Sequence, residues 1–145
     1  MNRLNLLALS VAAGLMLAAP AVAQDAARDN TVALTFETGA RTGSVMVALY
    51  DSAAAYNGGR PVGSMMLDVA GGNTVATFED LPAGDYAAKA FHDVNGDGEM
   101  NTNPFGIPVE PYAFSNNAVG NMGPASWERA RFTVSGDAAQ TIQLR

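Results

Sequence analysis

Apolar and polar residues alternate one by one in several short stretches of the chain. Residues 31–37 and 44–50 show this most clearly, with Val, Leu or Phe at every second position. A period of two is typical of a β-strand that buries one face. This pattern, together with short β-rich runs, predicts seven strands, at residues 31–37, 44–50, 61–69, 74–78, 86–92, 130–134 and 141–145.

Gly, Pro, Asn and Asp separate these stretches and mark turns. Clear examples are Gly71-Gly72-Asn73 and Ser135-Gly136-Asp137, which are typical hairpin and turn residues. Outside the N-terminal apolar run we find no amphipathic helical period. Short strands with frequent turns and no helices predict an all-β domain, an antiparallel two-sheet sandwich.

One long segment, residues 93–127, shows neither the period of two of a strand nor the period of a helix. It is rich in Gly, Asn and Pro, so it is predicted to be a loop. Structureless connections longer than about 12–15 residues are uncommon in compact domains. The segment also holds large apolar side chains, which argue against disorder; they are Phe105, Ile107, Tyr112, Phe114, Met122 and Trp127. We therefore expect an ordered loop that caps one end of the sandwich.

The N-terminal residues have the features of an export signal. Arg3 precedes an apolar run at residues 4–18, and Ala21-Val22-Ala23 is a small-x-small cleavage site. The run is too short to be favoured as a membrane span. We predict a signal peptide at residues 1–23 and one sandwich domain at 24–145, placed in the periplasm or outside the cell.

Composition narrows the chemistry. The chain has no Cys, which excludes thiol catalysis, cysteine metal sites and disulfide bonds. Its formal net charge is −6 at pH 7, so nucleic acid and anionic membranes are poor partners and cations are better ones.

The beginning of the long segment has the spacing of a calcium-binding loop. Asp93, Asn95 and Asp97 alternate and Gly98 follows, as in the first half of an EF-hand loop. The twelfth position, normally a bidentate Glu, is Pro104, so Glu110 or Asn103 has to fold back to complete the site. The predicted Ca²⁺ ligands are Asp93, Asn95, Asp97, the carbonyl of Glu99, Asn101 and Glu110. The alternative is a set of ordinary turns in which Asx side chains bond the local backbone.

A longer motif surrounds this loop. It comprises Phe-Glu-Asp-Leu-Pro-Ala-Gly-Asp-Tyr at residues 78–86, Phe-His-Asp-Val-Asn-Gly-Asp-Gly at 91–98 and Gly-Ile-Pro-Val-Glu-Pro-Tyr-Ala-Phe-Ser-Asn-Asn at 106–117. In these residues the chain resembles a secreted bacterial family known as domain of unknown function 2141. The Leu-Pro-x-Gly-x-Tyr corner is also similar to that of transthyretin-like sandwiches. The resemblance implies a prealbumin-like or immunoglobulin-like sandwich outside the cytoplasm, and it implies no activity.

Other side chains in the segment offer alternatives. His92 is the only His and is expected to bond the backbone at a strand end. The alternative is a zinc site with Asp93 and Glu110, and no Gly-x-Ser-x-Gly elbow supports a triad. Ser115, Asn116 and Asn117 are expected to bond loop backbone. The aromatic residues are expected to form a small core, with a glycan- or peptide-binding platform as the alternative; they are Phe105, Tyr112, Phe114 and Trp127.

We therefore expect a non-enzymatic exported binding or structural module with a calcium loop. Two alternatives stay open. One is a module that binds a small ligand, glycan, peptide or protein through residues 93–127. The other is a hydrolase that uses the loop carboxylates or His92. Exposure of His92 and Glu110 in one cleft favours the hydrolase, and burial of both with hydrogen bonds disfavours it.

Overall fold

The computed structural model describes residues 30–145. The predicted signal peptide and residues 24–29 lie outside the described residues. Eight strands, two short α-helices and one turn of 3-10 helix follow in the order β1 (Asn30–Glu37), β2 (Ser44–Tyr50), α1 (Ala53–Tyr56), β3 (Gly63–Asp68), β4 (Val75–Leu81), β5 (Gly84–Asp93), β6 (Tyr112–Phe114), the 3-10 turn (Ser115–Asn117), α2 (Trp127–Ala130), β7 (Phe132–Val134) and β8 (Ala138–Gln143). In this part of the chain no helix is both long and apolar enough to cross a membrane.

The strands form two sheets, which confirms the all-β two-sheet prediction. One sheet has the order β4-β1-β8, and the other has the order β3-β2-β5-β6, with β7 also paired to β5. Between the sheets lies one core, made by the alternate residues that the period of two predicts to face inward. Its fully buried members include Val32, Leu34, Val45, Leu49, Ala76, Val134 and Ile142.

The antiparallel prediction is wrong for one pair. β1 and β8 run parallel, from Val32 beside Ala138 to Glu37 beside Gln143, while the other pairs are antiparallel. Alternation decides which face of a strand is buried but not which strand lies beside it. The direction of β8 follows from the short link after β7, which carries the chain from one sheet to the other.

The long segment is also more regular than predicted. It contains β6, which pairs with β5 from Phe91 beside Tyr112 to Lys89 beside Phe114. Its later part does not only cap an end, because it covers the outer face of the larger sheet. There a second cluster buries Tyr56, Ala87, Phe114, Ala125 and Ala130. Strand β5 is consequently buried on both faces.

The polar residues after β6 hold this cover in place, as predicted. Ser115 Oγ accepts a hydrogen bond from Ala88 N at 2.8 Å and donates one to Ala130 O at 2.6 Å. Asn116 and Asn117 adopt left-handed φ values of 60° and 50°, which Asn tolerates better than most residues. Their amides bond the backbone of residues 129, 131, 141 and 143.

Candidate functional site

The candidate site begins where β5 ends. Asp93 is almost fully buried, and its carboxylate accepts three backbone N–H groups: Gly96 at 2.7 Å, Asp97 at 3.1 Å and Gly98 at 2.8 Å. Gly96 and Gly98 make this wrap possible because their φ values are +78° and +81°, which Gly adopts without strain. The loop therefore folds around one buried carboxylate.

A polar cluster lies above this wrap. Asp97 Oδ2 accepts hydrogen bonds from the side-chain amides of Asn95 at 3.0 Å and Asn101 at 2.9 Å, and its Oδ1 accepts Glu99 N at 2.9 Å. The amide of Asn95 also donates to Asn101 Oδ1 at 3.0 Å. These bonds favour the ionised form, so the pKa of Asp97 lies below its ordinary value, with the bond from Asn101 as the largest cause.

Glu110 ties the two ends of the loop together. It is buried; its Oε1 accepts Val94 N at 2.9 Å, and its Oε2 accepts Asn101 N at 3.1 Å. The segment therefore folds back, which was the condition for Glu110 or Asn103 to reach the ion loop. It brings this side chain to the backbone of the loop.

Beyond this clamp, residues 101–109 form a small hairpin. Asn103 N donates to Ile107 O at 2.8 Å, and Val109 N donates to Asn101 O at 2.9 Å. Asn103 Oδ1, the other candidate for completing the ion site, instead accepts Phe105 N at 2.9 Å and Ile107 N at 3.1 Å. The hairpin exposes 88% of Phe105, 59% of Ile107 and 62% of Val109. We call Phe105, Ile107 and Val109 the apolar tip.

A family model described as "Uncharacterized protein conserved in bacteria (DUF2141)" matches residues 24–143. The chain belongs to this family. No curated protein and no solved structure matches the chain. The family resemblance expected from the loop motifs is thus confirmed, and no activity comes with it.

The predicted calcium ligands of this DUF2141 domain are only partly gathered. Asn95, Asp97 and Asn101 meet, while the carboxylates of Asp93 and Glu110 face backbone N–H groups. Within residues 30–145, no three His, Asp or Glu side chains are arranged to hold a metal ion. The Asx bonds of the alternative are present, for example from Asp97 N to Asn95 Oδ1 at 3.2 Å. A cation here would have Asp97 and two amides as its side-chain ligands, and calcium binding stays a prediction.

His92 and Glu110 of the hydrolase alternative are not presented to solvent, whereas the loop carboxylates of Asp97 and Glu99 are exposed. His92 is fully buried, its Nε2 lies 2.7 Å from Thr42 O, and its Nδ1 has no partner among the described residues. The short contact to a carbonyl requires the proton on Nε2. Because Glu110 is buried and bonded as well, the DUF2141 domain lacks the open His92–Glu110 cleft that would favour a hydrolase.

The four aromatic residues do not form one platform. Phe114 is buried, and Trp127 packs edge-on against Tyr56 with ring centroids 5.8 Å apart. Tyr112 packs against Phe114 at 5.9 Å and stays partly exposed. Only Phe105 presents a fully open ring. The small-core interpretation is therefore right for Phe114 and Trp127, and wrong for Phe105.

One polar group of the DUF2141 domain was missed by the sequence reasoning. Lys89 Nζ donates to Tyr56 O at 2.6 Å and lies 4.2 Å from the ring centroid of Tyr56 and 5.2 Å from that of Tyr50. Burial lowers the pKa of Lys89 and raises that of Tyr56 to about 12. The available sequence signal was a Lys on the outward-facing side of a strand. Its aromatic partners were not evident from the sequence, because they come from α1 and β2. These contacts stabilise the second cluster.

Proposed function

We propose that this domain is a non-catalytic binding module outside the cytoplasm and that the apolar tip is its binding element. The observation that carries the proposal is the 88% exposure of Phe105 on a hairpin whose turn is fixed by Asn103. A large apolar side chain held in water by an ordered loop is typical of an interaction surface.

Energetics favour the same interpretation. Removing a Phe, Ile or Val side chain from water is worth roughly 1.5–3 kcal/mol. The loop beneath the apolar tip is already fixed by Asp93 and Glu110 through backbone hydrogen bonds. Because the loop is ordered before it binds, little of this gain is lost to ordering.

Site-specific photo-crosslinking tests the binding role. We expect a photoreactive phenylalanine analogue in place of Phe105 to give a discrete cross-linked product in the exported protein. The same analogue at Met122, which is fully exposed, is the matched control and should give none. The product should disappear when Ile107→Ser is added. Equal labelling from both positions, or none from residue 105, would contradict the proposal. A chain that keeps its N-terminal apolar run and stays in the cytoplasm would contradict the export step.

A calcium role for the same loop is a second proposal. Supporting it are the Asp97–Asn95–Asn101 cluster and Gly98 in the left-handed conformation that position six of such a loop requires. Sites of this kind outside cells bind at about 10⁻⁴–10⁻³ M. An ion that binds only the folded state adds roughly 1.4 kcal/mol to the free energy of unfolding at ten times Kd.

Thermal melting in chelator and in about 5 mM calcium tests this role. We expect Tm to rise with calcium in the natural sequence and not in Asp97→Asn, which removes the central charge and keeps the side-chain shape. Glu79→Gln, exposed on β4, is the control and should keep the response. Identical curves with and without calcium would rule the role out.

A further inference from the structure

A shallow groove lies beside β6, apart from the apolar tip. Its walls include Tyr112, Phe114, Ala118, Val119 and Arg145, and its volume is about 150 Å³. The exposed ring of Tyr112, which packs edge-to-face on the buried Phe114, gives it an aromatic side. A cavity of about this volume accepts a benzene-sized ring, and rings that meet edge-to-face or offset gain about 0.5–1.5 kcal/mol beyond burial.

The groove and the loop beneath the apolar tip carry opposite charges. Arg145 is exposed at the groove and bonds Gln143 Oε1 at 2.7 Å, and Arg129 reaches Val119 O at 3.3 Å. Residues 93–109, which form the loop and the apolar tip, contain no Lys or Arg. Asp97 and Glu99 are exposed at the base of the hairpin.

We propose that the apolar tip of one copy of this chain inserts Phe105 into the groove of a second copy. Size, aromatic character and charge complementarity all favour this occupant. The inference rests on the proposed function, since it takes the apolar tip as the binding element and names its partner. The apolar tip and the groove are different surfaces, so each copy can use its tip on one neighbour and its groove on another. Such a head-to-tail contact produces closed rings or open chains.

Mixing two variants gives the decisive experiment. Phe105→Ser removes the tip and leaves the groove, while Val119→Glu places an acid in the groove at an exposed position and leaves the tip. By sedimentation velocity we expect the natural sequence to form dimers and larger species as its concentration rises. Each variant alone should be monomeric, and their equimolar mixture should form a 1:1 dimer and nothing larger. Met122→Ser, outside both surfaces, should behave as the natural sequence does.

A charge exchange tests the electrostatic part. Glu99→Arg and Arg145→Glu should each weaken association about tenfold, by removing one favourable pair and adding a like-charge one. The double variant should recover most of that loss. Failure of the double variant to recover would contradict the pairing.

The outcomes also separate this inference from the proposed function. A natural sequence that stays monomeric at all concentrations overturns self-association. If N-acetylphenylalanine amide then binds the groove, with shifts of the Tyr112 NMR signals, the groove is a small-ligand site and the inference is equally wrong. A cross-link from residue 105 to a different protein would still support the proposed function, and the absence of any cross-link would end both.

Discussion

Glu110 is the single side chain on which the candidate site most depends. It is buried and accepts backbone N–H groups from both ends of the loop, at Val94 and Asn101. Glu110→Gln keeps one acceptor oxygen but turns an amide toward the other N–H. Leaving that group unbonded should lower the free energy of unfolding by about 1–3 kcal/mol, as measured by urea denaturation.

The matched control for this change is Glu99→Gln in the same loop. Glu99 is exposed, so its substitution should alter stability by less than about 0.5 kcal/mol. Similar losses in both variants would mean that the loop responds to charge rather than to the two hydrogen bonds of Glu110.

Asp97 gives a pH prediction at the same scale. Its pKa is lowered, first by the hydrogen bond from Asn101 and then by those from Glu99 N and Asn95. A depressed folded pKa means that the stability from these bonds is present above the unfolded pKa and is lost as pH falls through the folded one. Asn101→Ala should raise the pKa of Asp97 toward its ordinary value of 3.8.

NMR titration of the Asp97 side-chain carboxyl carbon checks that shift. Asn121→Ala, an exposed Asn outside the cluster, should leave the pKa of Asp97 where it is. An Asp97 that titrates identically in the Asn101→Ala protein would show that the cluster does not hold the carboxylate.

At the scale of elements, the turn between β1 and β2 decides how closely the end of β5 approaches. Gly43 has φ +71°, and a Cβ placed on it would lie 1.9 Å from Asp93 O. Gly43→Ala should therefore cost about 2–4 kcal/mol, from the strained backbone and from the overlap. We expect faster amide exchange in residues 93–101 as well, because Asp93 anchors that loop.

Gly39→Ala is the comparison for this prediction. A Cβ at Gly39 meets nothing within 4 Å, so its melting curve should stay close to that of the natural sequence. Equal destabilisation at both positions would show that neither the left-handed φ of Gly43 nor the overlap with Asp93 O is the cause.

The elements also show what the sequence was able to predict. β2 was predicted at residues 44–50 and occupies Ser44–Tyr50, because seven alternating residues leave little freedom in the assignment. β6 was missed because three residues between Pro111 and a 3-10 turn are too few to display a period. α1 was missed for the same reason, since four residues beside the N-cap Ser52 look like a loop.

In the candidate site, hydrogen bonds between residues close in sequence were predictable, and those between residues distant in sequence were not. The spacing of Asp93, Asn95 and Asp97 predicted a tight oxygen-lined loop, because those bonds join residues close in sequence. That Glu110 would clamp the loop depended on the pairing of β6 with β5. The alternation of apolar and polar residues does not encode that pairing. The packing of Tyr56 over Lys89 could not be predicted for the same reason, because it joins residues distant in sequence.

At the scale of the whole molecule, two unequal sheets share one core, and the larger one is also covered on its outer face. That cover leaves the hairpin of residues 101–109 to project from the end of β5. We expect a tip on such a frame to keep its geometry when it binds. This rigid frame is the physical reason for proposing that the apolar tip is the binding element.

The parallel pairing of β1 with β8 has a consequence for the order in which the chain folds. Val32 lies beside Ala138, so the central strand of the smaller sheet has only one neighbour until nearly the last residues are made. Pairings this distant in sequence form late and slowly. A nascent chain therefore cannot complete the smaller sheet before β8 has been made, and this late closure is compatible with the export that we propose.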